Sequence, residues 1–161
     1  MPRINSDDAQ VRSAAQALRD QVSGAEAAAP ALFLLALDLV AQRCAAPGRG
    51  AQVQGVREFV RAQAWTDAAL ALIGFDRSRA LRRLVHDDGV WHCRIGSQWP
   101  VPEWLDDGVE FSHAQLPLAI LGAALDAVAQ GRPLAAPAAA VPASPRNRPE
   151  PFTSACCDNY A

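Results

Sequence analysis

Two adjacent cysteines near the end of the chain are the residues best suited to chemistry in this sequence. Cys156 and Cys157 belong to the segment FTSACCDNYA, residues 152–161. Neighbouring Cα atoms lie about 3.8 Å apart across a trans peptide, whereas disulfides usually join Cα atoms about 4.4–6.8 Å apart. A disulfide between these cysteines would be strained and easily reduced, which is typical of a redox switch. Alternatively, the thiol pair could bind a metal or form a mixed disulfide.

The histidines and the other cysteines offer metal ligands, but their spacing matches no zinc site. The sequence contains neither Cys-x-x-Cys nor His-x-x-x-His. His86 and His92 are predicted to share one face of a β-hairpin. If the protein is redox-active or metal-responsive, these two histidines could act together with the vicinal cysteines. Cys93 would point to the opposite face from His92, and Cys44 is typical of a small buried hydrophobic residue. We therefore expect no bound cofactor.

A catalytic set can be assembled from the sequence, but no motif supports it. Ser112 and His113 could form a triad with one of two preceding carboxylates, Asp106 or Asp107. No nucleophile motif surrounds the serine, and no glycine-rich loop is typical of phosphate binding. The sequence therefore favours a protein without catalytic chemistry.

Composition and charge predict a single globular domain that does not attract nucleic acid or an anionic membrane through its net charge. The chain has 161 residues, of which 50% are hydrophobic and 20% charged, with a net charge of −2. This length and composition allow one packed core, and the small net charge creates no general attraction for nucleic acid or an anionic membrane. All 15 basic residues are arginine, which is typical of a GC-rich genome. The apolar run at residues 27–37 is too short to span a bilayer, so we expect a cytoplasmic protein with reduced thiols.

Four segments in the first half of the chain show the spacing of helices. The first helix begins at Asn5 or Ser6, and the second begins near Pro30. This second segment is apolar nearly all round, which predicts that it is the central core helix. A third helix follows the break at Pro47–Gly50, and Thr66 is a possible cap for a short fourth helix.

The period then changes to that of a β-hairpin at residues 80–96. A three-residue loop, Asp87–Gly89, is preferred, because a two-residue loop would place Arg83 opposite Arg94 and scatter the apolar residues. The preferred loop predicts two faces, one with Leu81, Val85, Trp91, Cys93 and Ile95, and the other with Arg82, Leu84, His86, His92 and Arg94.

A third strand and a long helix are predicted to complete the domain. Gly108–Phe111 is the candidate strand, and Ser112 with Gln115 forms a capping-box pattern before the helix. The inward residues of this helix are predicted to be Ile120, Leu121, Ala124, Leu125 and Val128. The fold class is therefore α+β, with N-terminal helices, a small antiparallel sheet and a long C-terminal helix at residues 5–131. Residues 132–161 are predicted to be a flexible, Pro/Ala-rich tail that ends in CCDNYA.

Aromatic residues suggest where such a protein would touch a partner. Trp91, Trp99 and Trp104 stand within a short stretch of a sequence that has few other aromatic residues, and they predict a Trp-rich contact edge. Phe152 and Tyr160 flank the vicinal cysteines on the predicted tail. An extended tail spans about 3.1 Å per residue, so these two aromatic residues could dock on the domain or on another protein.

Several segments resemble a family of small proteins from GC-rich proteobacteria. These segments are WTDAALALIG, LVHDDGVWHC, LPLAILGAALDA and the closing CCDNYA. The family has no known activity, so the resemblance implies no catalytic or binding residue. It implies only that hairpin, helix and terminal motif belong together, which favours a tail that docks.

The leading functional hypothesis is a small cytoplasmic interaction or regulatory protein whose partner is another protein. Its contacts would be the terminal motif and the Trp-rich edge. The alternative is a thiol-based redox or metal-responsive protein that uses Cys156 and Cys157.

Overall fold

Five helices and a three-stranded antiparallel sheet make up the part of the chain that the structure, a computed structural model, describes: residues 6–44, 48–98 and 108–130. The predicted α+β class is confirmed. The elements are α1 (Ser6–Ser23), α2 (Pro30–Arg43), α3 (Gly50–Arg61), α4 (Trp65–Ile73), β1 (Arg79–Asp87), β2 (Val90–Ser97), β3 (Val109–His113) and α5 (Leu116–Ala129). None of these helices is both long and apolar enough to cross a bilayer. The predicted tail lies outside the described residues.

The central helix of the core is α5, and the prediction that α2 has this place is wrong. Nine of the 14 residues of α5 are buried, including every residue predicted to point inward. It packs against α1, α4, β3 and β2. By contrast, α2 leaves Leu34 39% and Leu35 51% exposed. Both helices are apolar nearly all round, so composition alone could not decide which of them is enclosed.

The hairpin has a two-residue turn rather than the predicted three-residue loop. Asp87 pairs with Val90, and the residues between them, Asp88 and Gly89, have φ values of 46° and 79°. Positive φ at both central positions defines a type I′ turn, whose twist matches that of antiparallel strands and which Asp-Gly strongly favours.

A β-bulge in β1 corrects the register that this turn imposes. The two-residue turn does set Arg83 opposite Arg94, and the register then shifts between Leu81 and Arg83. The inserted residue, Arg82, returns Leu81 to a position opposite Ile95, which is 1% exposed. The bulge thus lets β1 keep the register of the two-residue turn at one end and still place Leu81 opposite a buried residue at the other end.

The third strand is present, but the predicted capping box is wrong. Ser112 lies within β3, and Gln115 precedes α5 without making a side-chain cap. The amide of Gln115 instead holds the α1–α2 loop: its Oε1 accepts a bond of 3.3 Å from Ala28 N, and its Nε2 donates to Glu26 O. The segment between β3 and α5 therefore ties the first two helices to the sheet.

His113 completes this clamp with both ring nitrogens. Its Nδ1 accepts a bond of 2.9 Å from the backbone N–H of Gln115, and its Nε2 lies 3.0 Å from the carbonyl oxygen of Ala25. Since Nδ1 accepts, Nε2 carries the proton and donates to Ala25. The imidazole is thus a structural bridge between the sheet and the α1–α2 loop.

An ion pair joins α1 to α5 beside the sheet. Arg19 Nε donates to Asp126 Oδ1 over 3.1 Å, and the guanidinium lies 5.0 Å from the centre of the Phe111 ring. Burial raises the pKa of the Asp126 carboxyl, an effect that the positive charge of Arg19 opposes. The contact thus links α1, α5 and β3 through one side chain.

Candidate functional site

Three side chains on the hairpin, Leu84, His86 and Trp91, form an exposed cluster that we call the hairpin patch. Leu84 pairs with the fully buried Cys93, and His86 pairs with Trp91, so all three side chains lie on the core-facing side of the sheet. Yet Leu84 is 36% exposed and His86 is exposed as well. The reason is that α5 packs on β2 and β3 while β1 extends beyond it.

The rings of the hairpin patch contact one another. The His86 and Trp91 ring centres lie 4.7 Å apart with 37° between the ring planes. Trp91 also packs against the edge of the core. A half-buried indole whose remaining surface faces solvent is typical of aromatic anchors at protein interfaces.

The strand that carries two members of the patch is an edge strand. The sheet order is β1-β2-β3, and within the described ranges no strand pairs with the outer side of β1. Such an edge presents unpaired backbone groups to a second chain. Arg82 and Arg83 are exposed on it, and such charges, like the bulge, hinder unspecific pairing of an edge strand.

Of the three tryptophans predicted to form one contact edge, the structure describes Trp91. This residue lies at the turn end of β2, six residues or about 20 Å from Ser97 at its other end. The β2–β3 connection starts at that far end. The remaining predicted partner-binding and thiol residues lie outside the described ranges, namely Trp99, Trp104, Phe152, Tyr160, Cys156 and Cys157.

The prediction that His86 and His92 share a face is wrong. His86 pairs with Trp91, and His92 pairs with Val85 and Ser112, so the two imidazoles lie on opposite sides of the sheet. The physical reason is the turn: shortening the loop by one residue changes which side each β1 residue faces. Among the described residues, no group of three or more His, Cys, Asp or Glu side chains is placed to hold a metal ion.

The outer face of the sheet brings Ser112, His92 and Glu110 together. Ser112 Oγ lies 2.8 Å from His92 Nδ1, and Glu110 Oε1 lies 3.9 Å from the same nitrogen. A catalytic relay requires the serine and the carboxylate on different ring nitrogens. His113, the histidine of the triad assembled from the sequence, faces the opposite side and is bonded in the clamp. The arrangement is therefore a surface hydrogen-bond cluster without relay geometry.

Both thiols in the described ranges are held in the protonated form. Burial, with a smaller effect from Glu110, raises the pKa of Cys93 to about 11. Burial also raises the pKa of Cys44, helped by Asp76 and opposed by Arg49 and Arg43. Since the thiolate is the reactive form, neither residue is prepared for redox chemistry at neutral pH.

We expect Cys93 to resist alkylation by iodoacetamide in the native protein near neutral pH and to react fully after denaturation. Its side chain is 0% exposed, and a thiol with a pKa of about 11 holds little thiolate at that pH. Peptide mass spectrometry of the time course gives the rate at each cysteine. The thiol hypothesis requires Cys156 and Cys157 to react before Cys93 and Cys44. Modification of Cys93 at the rate of a free thiol would contradict the burial described.

A second surface, which sequence reasoning missed, lies between α2 and α3. This α2–α3 groove has a volume of about 580 Å³ and is lined by Leu34, Asp38, Arg57, Val60 and Arg61, among others. Two signals pointed to it. The α2 sequence has more leucines than one buried stripe needs, and the two arginines stand four residues apart on α3, on one face of that helix.

Comparisons with protein-family models, with curated proteins and with solved structures found no match for this chain. The predicted resemblance to a family of small bacterial proteins stays a prediction. What the fold defines is a small α+β domain with two exposed apolar surfaces, the hairpin patch and the α2–α3 groove.

Proposed function

We propose that this chain is a non-catalytic interaction or regulatory protein of the cytoplasm that binds another protein through its hairpin. The observation that supports the proposal is the hairpin patch: apolar and aromatic side chains on the core-facing side of the sheet that the described elements leave partly exposed. A partner segment that pairs with the free edge of β1 would cover Leu84 and the exposed side of Trp91. Backbone pairing supplies affinity in such complexes, and alternate side chains supply specificity.

The terminal motif is the second contact in this proposal. Phe152 and Tyr160 supply large aromatic surfaces close to the end of the sequence, and Trp99 and Trp104 would extend the aromatic contact. Aromatic residues contribute most per contact at interfaces because they bury a large area with few rotatable bonds. Two separated contacts on one chain strengthen binding by raising the effective concentration of the second.

Site-specific photo-crosslinking in cells tests the contact at the hairpin. A photoreactive phenylalanine analogue at Leu84 should give a discrete adduct with another protein, whereas the same analogue at Leu70 should not. Leu70 is the matched control because it is exposed to a similar extent, 40% against 36% for Leu84, but lies on α4. Replacing Trp91 by alanine should remove the adduct formed at position 84. Equal crosslinking from both positions would contradict a specific hairpin contact.

Removing residues 132–161 tests the part of the tail in the proposal. We expect the shortened chain to keep its circular dichroism spectrum and cooperative unfolding, because all the core contacts described lie before Gly131. The adduct at position 84 should weaken or vanish, since one of two linked contacts is lost. A shortened chain that is unfolded, or one that crosslinks as well as the full chain, would contradict this role of the tail.

A further inference from the structure

We infer that the α2–α3 groove binds an acidic amphipathic helix of a partner protein. The groove is formed by elements other than the hairpin, so this inference does not depend on the function proposed above. It rests on the shape of the groove, on its apolar lining and on the charges along one of its walls.

The groove has an apolar base and an apolar rim. Val60 of α3 is buried at 6% exposure, and Leu34 of α2 stands above it at 39% exposure. The next residue on α2, Leu35, is 51% exposed and adds apolar surface around the helix from Leu34. Exposed leucines at adjacent positions in mid-helix leave an apolar surface that a partner side chain can cover.

The α3 wall carries two positive charges that form no ion pair within the described part of the chain. Arg57 and Arg61 stand four residues apart, both are exposed, and neither belongs to any ion pair found among the described residues. Like charges at this spacing repel each other on a helix surface. The cation–π contacts in the described ranges belong to Arg19 and Arg49. Two guanidinium groups beside an apolar groove are therefore available to carboxylates of a partner.

The opposite wall carries one negative charge. Asp38 lies on α2 across from the arginines and takes part in none of the ion pairs described. The groove thus has two positive groups and one negative group, which favours a partner with an excess of acidic residues. A basic residue of the partner opposite Asp38 would fix the direction in which the partner lies.

The walls of the groove favour a helical partner over an extended one. Both walls are helices, whose mid-helix backbone N–H and C=O groups are already bonded within the helix. An extended peptide would need a hydrogen-bond partner for every backbone group that it buries, and the polar lining side chains are few: Asp38, Arg57, Arg61 and Gln63. A helix satisfies its backbone groups internally and leaves these side chains to pair with charged residues of the partner. The distance along α2 from Pro30 to Asp38 is about 12 Å, or two helical turns. Glutamates four residues apart on such a helix would match the spacing of Arg57 and Arg61.

The direct test uses a synthetic peptide as the probe and the full chain as the receptor. The peptide is an amphipathic sequence of about 16 residues, with leucines at helical positions i, i+3, i+4 and i+7 and glutamates four residues apart beside them. Fluorescence anisotropy of the labelled peptide should show saturable binding that weakens as salt is added. The same peptide with a central proline should bind more weakly, because proline breaks the helix. Absence of saturable binding would overturn the inference.

Matched charge reversals locate the binding site. The double variant R57E/R61E should weaken binding by at least about tenfold, because it sets two glutamates of the chain against two glutamates of the peptide. The control R82E/R83E makes the same change of net charge on β1, outside the groove, and should change binding by less than about twofold. A peptide with lysines in place of the glutamates should bind R57E/R61E and not the unaltered chain. Thermal unfolding confirms that each variant is folded.

Two further outcomes would overturn the inference. Equal loss of binding in R57E/R61E and R82E/R83E would show that net charge alone attracts the peptide. Analytical ultracentrifugation of the full chain addresses the other occupant: a dimer that separates in R57E/R61E would place a second copy of this chain in the groove. A monomer that binds the acidic peptide with the variant pattern above supports the helix of a partner.

Discussion

Replacing Gly122 by alanine should destabilise the fold by about 1–3 kcal/mol, the usual cost of overpacking a core. Gly122 lies in the centre of α5, and the Phe111 side chain of β3 packs directly on its backbone. A Cβ atom at this position would lie 2.3 Å from two atoms of the ring, far inside van der Waals contact. The ring cannot move away freely because Phe111 is 4% exposed and is also covered by Arg19. Chemical denaturation followed by circular dichroism measures the change.

Gly55 provides the matched control for this prediction. It lies inside α3, and nothing is found within 4 Å of the Cβ that alanine would add. Alanine there should stabilise the protein by up to about 1 kcal/mol, since glycine is the weaker helix former. Opposite signs for the two glycine substitutions are therefore expected. A neutral or stabilising effect of G122A would contradict the close contact between α5 and β3.

A smaller side chain at position 111 should relieve the crowding that G122A creates. The variant Phe111→Leu loses apolar contacts, but in the presence of G122A it also makes room for the new methyl group. The double variant should thus lose less free energy of unfolding than the two single variants lose together, and the difference in a double-mutant cycle should be about 0.5–3 kcal/mol. Additive effects would show that the two residues do not share the same space.

Replacing Leu121 by alanine should destabilise the fold by about 2–5 kcal/mol, the cost of leaving a cavity in a core. Leu121 is 0% exposed on α5, the helix around which the other elements pack. The comparison variant is Leu35→Ala on α2, where the side chain is 51% exposed and truncation leaves little cavity. We expect that change to cost less than about 1 kcal/mol.

The pair also tests which helix is central. If α2 were the core helix, as its composition indicates, the leucine on α2 would be the costly one to truncate. Equal losses at Leu121 and Leu35 would contradict the arrangement described. Urea denaturation at a single temperature is sufficient, because only the difference between two leucine truncations is needed.

The hairpin shows where sequence reasoning reaches its limit. The dipeptide Asp88-Gly89 between two alternating segments indicates a tight turn, and the turn is there. The three-residue loop was preferred because it aligned the apolar residues without a bulge. The actual solution keeps the favourable two-residue turn and inserts Arg82 as a bulge. A bulge leaves no local signature that distinguishes it from a longer loop. The face of the sheet on which Leu84 and His86 lie was therefore predicted wrongly.

The candidate sites show the same division. Trp91 was predicted to be a contact residue because it stands with Trp99 and Trp104 in a short stretch of a sequence that has few other aromatic residues. The groove was missed because it needs two helices, α2 and α3, to lie side by side and bring Leu34 together with Arg57 and Arg61. Its residues lie on two consecutive helices, and no pattern within either helix shows how the two pack against each other.

Local patterns in the chain were enough to predict five helices, a hairpin with a further strand, and the inward face of α5, because helix and strand periods are written in neighbouring residues. Which helix is enclosed depended on contacts between distant segments. Helix α5 lies at the centre, where Phe111 packs closely on the backbone at Gly122, and α2 is left with exposed leucines. The register of the sheet and the surfaces available to partners were likewise decided by packing, because the cost of a bulge or an uncovered leucine depends on what lies opposite it.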